Sequence, residues 1–495
     1  MQDGPIVFLT YRGEIPAWSR VADELRAAGM PVDLWVTDSA DARLGIAGGS
    51  FRKVVNLFEG FDVRRLPPTD PAQALLALEA EVGQPFVHLD AAIDRALNAF
   101  TAPGDDEIYG GAGQRRSWLE TAAMVEHLIS TLRAQVESAR PRAIFGETAN
   151  MASRVVHRLL ATQGILHLNP LFAPYAAGRS YFEEALDGRW SRCGRVYAEL
   201  VADGIPAETR QWAERALRSI RDDDATPQFT QELFASLRQS RSPARTARRV
   251  GDVLRRWSSA KTTFAAGEPR ALPPALVSPR SAVARVLNRP RNRRYYGAVS
   301  TRALPSQPFV SFFLHMRPEW TVESLAFEWQ DQVHTVRLCA ASLPADHVLV
   351  VKDHPATAGS SSRSFYRELS TIPGVVLLHH TVPTRDVIRR SQAIVTLTGT
   401  TVIEAVCVSV PAVVLGSTYY ERFGGVTRAH TFAEIRSALA APAALPRAGD
   451  LDAIRALSAT HLASQPAPYP VIGASPKDIR AFAHAVLQEL EDRGV

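Results

Sequence analysis

The chain has 495 residues, of which 46% are hydrophobic and 22% charged, as in an ordinary folded globular protein. This length is too great for one hydrophobic core, so we predict two large domains. The net charge is +5, no apolar run approaches the roughly 20 residues of a membrane span, and no basic segment precedes the first apolar run, so we predict a cytoplasmic protein without a signal peptide.

The first 240 residues have the pattern of an α/β domain. The predicted elements are strands at 6–10, 32–36, 143–145 and 165–168 and helices at 18–28, 114–137 and 150–161, with further helices expected over 180–240. This opening lacks the GxGxxG fingerprint of a dinucleotide site, so we predict no cofactor.

Glu147 follows the predicted buried strand 143–145. Ligands of open α/β sheets collect beyond the carboxyl ends of the strands, so this carboxylate is a candidate general acid or base. The alternative is a glutamate in the first turn of a helix that stabilises the helix dipole.

A basic segment separates the two predicted domains. Between Arg241 and Arg302 there are fifteen Arg or Lys against Asp252 and Glu268, a net charge of +13. We predict a linker or helical arm over 241–305, with peripheral contact to an anionic membrane at the inner face of the plasma membrane as one use and a solvated linker as the other. No helix-turn-helix, zinc or RNA-sheet signature accompanies it, so no nucleic-acid partner is predicted.

The rest of the chain alternates short apolar strands with amphipathic helices. Strands are predicted at 308–314, 347–351, 374–378, 393–397 and 412–416, with helices at 322–342, 364–370, 384–390, 402–408 and 476–491. This alternation is typical of a parallel, doubly wound sheet. We therefore predict two Rossmann-like domains that face a central cleft: 1–240 as the acceptor and catalytic domain, 306–475 as the nucleotide domain, and 476–495 as a helix that packs back on the first domain.

The sequence Lys352-Asp353-His354-Pro355 ends one predicted strand. A lysine cation and an imidazole donor both suit a phosphate, while Pro355 stops the strand. A strand-end loop with incidental charges is the alternative.

The sequence Thr398-Gly399-Thr400-Thr401 ends another predicted strand and precedes a helix that carries Glu404. Gly399 permits close backbone approach and the three threonines offer hydroxyl groups, as a phosphate site requires. Thr401 and Glu404 also have the spacing of a capping box, which would be structural.

A third polar segment follows the first strand of the second domain and contains His315, Arg317 and Glu319. Three polar groups at the carboxyl end of a strand suit a nucleotide or a sugar, and a surface loop is the alternative.

These motifs resemble the bacterial capsule polysaccharide biosynthesis proteins, a family that includes β-Kdo transferases. The matching segments are FFLHMRPEWT, DQVHTVRLCAASLP, VVKDHPATAG, VVLLHH and AIVTLTGTTVIEAVCVSVPAVVLGSTYY. They lie between residues 308 and 420, about a quarter of the chain, and the first domain is similar only in layout.

The resemblance implies a GT-B fold with the nucleotide on the second domain. By analogy with the family's HP and Ser/Thr motifs, His354, Pro355 and residues 398–401 would bind the donor phosphate, and Glu404 would lie near the ribose. The family's acidic catalytic residue is in the first domain, where this chain has no acidic-acidic-glycine motif, so the resemblance implies Glu147 by position alone.

The prediction is a metal-independent glycosyltransferase of capsular or surface polysaccharide assembly. It would transfer Kdo or a similar acid sugar from a CMP-activated donor to a glycan or glycolipid. One alternative is a CDP-glycerol-type glycerophosphotransferase of teichoic-acid-like polymers, which tends to carry an aspartate just before the Ser/Thr loop, where this chain has IVTLTGTT. A non-catalytic scaffold of polysaccharide export is the second alternative.

Overall fold

The computed structural model describes residues 4–10, 13–63, 65, 71–94, 117–222, 254, 257–258, 261, 279–316, 319–354, 357–359, 361–469 and 474–495. For residues 279–287 and 289 it describes the backbone only. The described residues form two six-stranded sheets with helices on their faces. The predicted α/β class with two Rossmann-like halves is confirmed.

The first sheet has the strand order β3-β2-β1-β4-β5-β6. Its strands are β1 (Ile6–Leu9), β2 (Val32–Val36), β3 (Lys53–Asn56), β4 (Ala143–Phe145), β5 (Leu166–Phe172) and β6 (Ser180–Glu183). All neighbours pair in parallel except β5 and β6, which are antiparallel. The helices between them are α1 (Ile15–Ala27), α2 (Ser39–Gly48), α3 (Ala72–Val82), α4 (Val87–Ile93), α5 (Trp118–Ala139) and α6 (Met151–Thr162).

The second sheet is entirely parallel, in the order β12-β11-β10-β7-β8-β9. Its strands are β7 (Phe309–Phe313), β8 (Val348–Lys352), β9 (Val375–Leu378), β10 (Ala393–Thr396), β11 (Ala412–Val414) and β12 (Val426–Arg428). The remaining helices are α7 (Ser191–Ala202), α8 (Ala207–Arg221), α9 (Pro279–Val299), α10 (Trp320–Leu325), α11 (Gln332–Ala340), α12 (Arg363–Thr371), α13 (Thr384–Arg390), α14 (Thr401–Cys407), α15 (Phe432–Leu439), α16 (Asp450–Ala463) and α17 (Pro476–Asp492).

Helices α7 and α8 lie within the range 1–240 that we expected to form the first domain. Their buried residues, including Cys193, Tyr197 and Leu217, share a hydrophobic cluster with the second sheet and with α16. The first sheet's own clusters contain no residue of α7 or α8 among the described residues. The packing boundary therefore precedes α7, before the expected residue 240.

The last helix, α17, returns to the first sheet. Phe482 and Val486 are fully buried in the cluster formed by α1, β1 and β2. The ring of Phe482 lies 5.7 Å from that of Trp18. The chain therefore crosses between the two halves twice.

The range expected to be a linker, 241–305, contains helix α9. Tyr296 near its end is fully buried, and its hydroxyl donates a hydrogen bond of 2.9 Å to the carbonyl of Leu378. The end of this arm is thus an integral part of the second half. Most of the basic segment lies outside the described residues.

Two predicted elements are wrong. Residues 180–183 form a strand where helices were expected, and the single helix predicted over 322–342 is broken into α10, a short 3-10 helix (Phe327–Trp329) and α11. The break occurs because Asp331 caps α11, its carboxylate accepting a hydrogen bond from the backbone of His334.

None of the helices formed by the described residues has the length and apolar character required to span a membrane.

Candidate functional site

Both sheets reverse their strand order at one point, between β1 and β4 in the first and between β7 and β10 in the second. Ligands of open α/β sheets bind in the crevice outside the carboxyl ends of the strands at such a point. The segments after β7 and β10 contain His315 and the TGTT sequence, and the KDHP sequence follows β8, the other neighbour of β7. The two expected phosphate segments are thus not on adjacent strands, because β7 lies between them.

His315 joins the segments that follow β7 and β10. Its Nε2 lies 2.9 Å from the hydroxyl of Thr396, and the same hydroxyl accepts a hydrogen bond of 3.1 Å from the backbone of Gly399. The side chain of Gln332 holds the backbone of His315 through two hydrogen bonds, of 2.8 and 3.2 Å. Burial, followed by the charge of nearby His354, lowers the pKa of His315 to about 3, so its ring is neutral at pH 7.

Neighbouring side chains leave no room for a side chain at position 399, so a glycine is required there. A Cβ there would lie 2.6 Å from the Thr396 hydroxyl and 3.4 Å from the His315 ring. A larger residue would push the TGTT segment away from His315.

Lys352 ends β8 and is 2% exposed. Burial lowers the pKa of its amino group to about 8, although the charges of Asp353 and Glu404 raise it. Within the part of the chain that the structure describes, this amino group forms no hydrogen bond or ion pair. A buried cation without a direct partner is well suited to a phosphate.

The turn after Lys352 is shaped by Asp353, which is buried. Its carboxylate accepts hydrogen bonds from the Tyr366 hydroxyl (2.6 Å) and from the backbone of His354 (2.8 Å) and Gly359 (3.2 Å). Burial, and then the charge of Lys352, lowers the pKa of His354 to about 4, so this imidazole is also neutral at pH 7.

The TGTT segment carries two buried hydroxyl groups, those of Thr398 and Thr401, that have no hydrogen-bond partner in the part of the chain that the structure describes. The predicted capping box is wrong: Thr400 is the N-cap of α14, in a helical conformation and without a side-chain capping bond, and Thr401 is already inside the helix. Two such hydroxyls in one short segment at the carboxyl end of β10 favour a ligand-binding role for this segment.

Glu404 contacts the first half of the molecule. The hydroxyl of Tyr175, in the loop after β5, donates a hydrogen bond of 2.6 Å to its carboxylate. Tyr175 has a backbone φ of +59°, a left-handed conformation that is unusual for a bulky residue and marks a constrained position. Burial raises the pKa of the Glu404 carboxyl.

The third predicted segment is only partly described. Glu319 is the residue before α10. Burial raises the pKa of the Tyr420 hydroxyl, and the charge of Glu319 adds to this rise. The same hydroxyl donates a hydrogen bond of 3.1 Å to the carbonyl of Gly399. Arg317 and Pro355 lie outside the described residues.

At the switch point of the first sheet, Glu147 follows β4 and accepts a hydrogen bond of 3.1 Å from the hydroxyl of Tyr469. Next to it lies Glu14, which the sequence analysis did not single out. Glu14 is 6% exposed and accepts hydrogen bonds from Thr10 (2.7 Å) and Trp18 (3.1 Å). Burial, followed by the charge of Glu147, raises the pKa of Glu14 to about 7.

The two switch points face each other across the molecule. The indole of Trp320, after β7, donates a hydrogen bond of 3.1 Å to the carbonyl of Thr148, after β4. A carboxylate pair on one sheet therefore faces a group of phosphate-type side chains on the other. Among the described residues, no group of three or more His, Cys, Asp or Glu side chains is placed to hold a metal ion.

Residues 330–460 match the model of a protein family described as capsule polysaccharide biosynthesis protein. The resemblance predicted from the motifs is confirmed. The segment shared with the capsule polysaccharide biosynthesis family contains Lys352, His354 and the TGTT segment, and it leaves out His315 and the whole first sheet. A search of curated proteins finds no match.

Solved structures with a similar layout include two transferases of Thermosulfurimonas dismutans KpsC. The β-Kdo 2,7 transferase is 10% identical over 77% of this chain and 94% of that chain, with a TM-score of 0.35; the β-Kdo 2,4 transferase is 12% identical over 72% and 94%, with a TM-score of 0.33. The Methanocaldococcus jannaschii UDP-GlcNAc 2-epimerase is 9% identical over 91% and 97%, with a TM-score of 0.26. At such low identity and overlap, no residue role follows from these similarities.

Proposed function

We propose that this protein is a glycosyltransferase of capsular or surface polysaccharide assembly, with the nucleotide-sugar donor at the carboxyl ends of β7, β8 and β10. The observation that carries the proposal is the presence of Lys352 and His354 at the end of β8 and of two threonine hydroxyls without a partner among the described residues after β10, on either side of β7. Lys352 would supply positive charge to the phosphate that leaves, without a metal ion. Glu319 is included in the proposed site because it stands between β7 and α10.

The carboxylates of the first sheet would serve the acceptor. In the reaction, the acceptor hydroxyl oxygen forms a bond to the anomeric carbon while the bond from that carbon to the donor phosphate breaks. The phosphate departs with the electron pair, and a carboxylate accepts the proton of the hydroxyl. We propose that Glu147 accepts this proton. The charge state of the neighbouring Glu14 would influence how readily Glu147 does so.

The donor that we propose is CMP-Kdo or a similar acid sugar. It is supported by the family match over residues 330–460 and by the motif resemblance, with Glu404 near the ribose. The names of the two KpsC transferases are in accord with this choice, and a glycan or glycolipid is the corresponding acceptor.

The test is release of free nucleotide from CMP-Kdo, UDP-sugars and GDP-sugars in the presence of bacterial glycolipid acceptors. We expect release from CMP-Kdo alone, reduced by about 100-fold or more in Glu147→Gln, because general base catalysis contributes on that order. Glu137→Gln, an exposed position on α5, is the matched control and should retain full activity. Absence of release from every donor would refute the proposed activity, and full activity of Glu147→Gln would remove that residue from the reaction.

A further inference from the structure

A cavity of about 860 Å³ lies between the two halves of the molecule. One wall comes from α6 and the segment 184–187, and the other comes from α10, residues 327–328 and Ser417. The cavity is separate from the Lys352 and TGTT group, and nothing in the proposed donor site uses its walls.

Two arginines of α6, Arg154 and Arg158, line the cavity and share one carboxylate. The Nε atoms of Arg154 and Arg158 each lie 2.7 Å from an oxygen of Asp90, on α4. Asp90 is fully buried and Arg154 is 3% exposed. Arg154 also donates a hydrogen bond of 2.6 Å to the hydroxyl of Ser324, across the boundary between the halves. Both guanidinium groups are therefore held in fixed positions.

This cluster keeps one positive charge and unused donors. Two guanidinium groups face a single carboxylate, so one positive charge is left uncompensated within the cluster. Nη2 of Arg154 and Nη1 of Arg158 form no hydrogen bond with the described residues. Planar guanidinium donors match the oxygens of a carboxylate or a phosphate.

The carboxylates that line the cavity do not cancel this charge, because most of them have other partners. Glu81 pairs with Arg133, Glu184 with Arg493, and Asp187 with Arg189. Glu328 is exposed on the opposite wall. The cavity thus has a cationic end at Arg154 and Arg158.

The cavity borders the proposed donor segment. Ser417 lines it, and a Cβ on the preceding residue, Gly416, would lie 2.8 Å from the side chain of Thr398. On the other wall, Arg154 is one helical turn beyond Asn150, the N-cap of α6, which follows Glu147 by three residues. A ligand in the cavity can therefore extend from the arginines toward the carboxylates and the donor.

We infer that this cavity binds the acceptor, and that the acceptor carries an anionic group, a carboxylate or a phosphate, held by Arg154 and Arg158. The inference rests on the proposed function and adds the chemical class of the acceptor to it. The volume of the cavity is within the range of small-molecule sites.

Saturation-transfer NMR with glucuronate, glucose 6-phosphate and glucose as probes tests the inference. We expect signals from one or both anionic sugars and none from glucose at equal concentration. In Arg158→Gln, Asp90 keeps Arg154 as its partner, and the anion signal should fall about fivefold or more; Arg158→Lys, which keeps the charge, should lose less. Arg43→Gln, at an exposed position on α2 outside both proposed sites, is the matched control and should leave the signal unchanged.

A signal from glucuronate alone identifies a carboxylate acceptor group, and a signal from glucose 6-phosphate alone identifies a phosphate group. Equal signals from glucose and the anions, no signal from any probe, or an unchanged signal in Arg158→Gln would overturn the inference. Thermal melting of each variant verifies that it is folded. Nucleotide binding is measured separately. If a nucleotide binds but the anionic sugars give no stronger signal than glucose, the anionic acceptor is contradicted and the donor site is not. If no nucleotide binds, the donor site is contradicted.

Discussion

The amino group of Lys352 is the strongest single feature of the proposed donor site, because it is a cation with 2% exposure and no direct partner among the described residues. The interior lowers its pKa to about 8 by burial, and the charges of Asp353 and Glu404 oppose that change. A phosphate would restore the stabilisation that water gives to an exposed lysine. This buried amino group should therefore contribute to the binding of a phosphate.

Replacement of this lysine should weaken nucleotide binding. A hydrogen bond between charged groups contributes about 1.5–3 kcal/mol, so Lys352→Met should raise the Kd of the nucleotide roughly 10- to 100-fold. Because the pKa of the free protein's Lys352 is about 8, wild-type affinity should also fall as the pH rises through 8. Calorimetry at pH 7 and pH 9.5 measures both effects. Lys53→Met, at an exposed position, should bind as wild type, and a Lys352→Met variant with unchanged affinity would exclude the lysine from the site.

Glu14 and Glu147 show how an acidic pair can be missed in a sequence. Glu147 was predicted because it follows a strand whose apolar run is evident. Glu14 stands in a loop before a proline, where an exposed residue is expected, and only the fold buries it beside Thr10 and Trp18. Its position in the sheet order could have identified it, because Glu14 and Glu147 follow β1 and β4, the two strands that flank the switch point.

The raised pKa of Glu14 predicts a pH-dependent stability. The folded protein keeps this proton up to a pH of about 7, whereas the unfolded chain loses it near 4.5. The free energy of unfolding should therefore decrease as the pH rises from 4.5 to 7, by about 3 kcal/mol in total. Glu14→Gln cannot ionise, so it should lack this decrease and exceed wild type in stability at pH 8. Urea denaturation at pH 5 and pH 8 measures the difference.

Glu199→Gln, at an exposed position on α7, is the control and should follow the wild-type curve. Parallel pH profiles of wild type and Glu14→Gln would show that Glu14 ionises normally in the fold.

At the scale of elements, the buried parallel strands were predictable and the short or interrupted elements were not. Strands 32–36 and 143–145 were predicted with their observed bounds, because central strands of a parallel sheet are nearly continuous apolar runs. The edge strand β6 is four residues long and antiparallel, and its sequence carries no such signal. The helix predicted over 322–342 is broken where Asp331 caps α11, and the adjacent Gln332 bonds the backbone of His315, a contact between separate elements that leaves no local pattern.

Helix α17 should contribute strongly to the stability of the first sheet. Phe482 is fully buried, and its ring contacts those of Trp18, Phe182 and Tyr469 at 5.7, 5.9 and 5.9 Å. Phe482→Ala should lower the free energy of unfolding by about 3–5 kcal/mol, the cost of a large cavity in a core. His484→Ala, an exposed position on the same helix, should change it by less than about 0.5 kcal/mol. Equal effects of the two substitutions in a urea titration would show that α17 does not pack on the sheet.

At the scale of the whole molecule, the two halves are joined by contacts that come from the functional segments themselves. Tyr175 contacts Glu404, Trp320 contacts Thr148, and Arg154 contacts Ser324. The sequence predicted two domains and a cleft, but these pairs are separated by 170 to 229 positions along the chain and leave no local pattern. The proposed donor and acceptor groups are thus held on one structural unit that includes both sheets.

The most direct test of the proposed donor site is calorimetric titration of the intact protein with CMP, CDP, UDP and GDP. We expect CMP to bind at one site per chain and more tightly than the other three nucleotides. Absence of binding by all four nucleotides to the folded protein would contradict it.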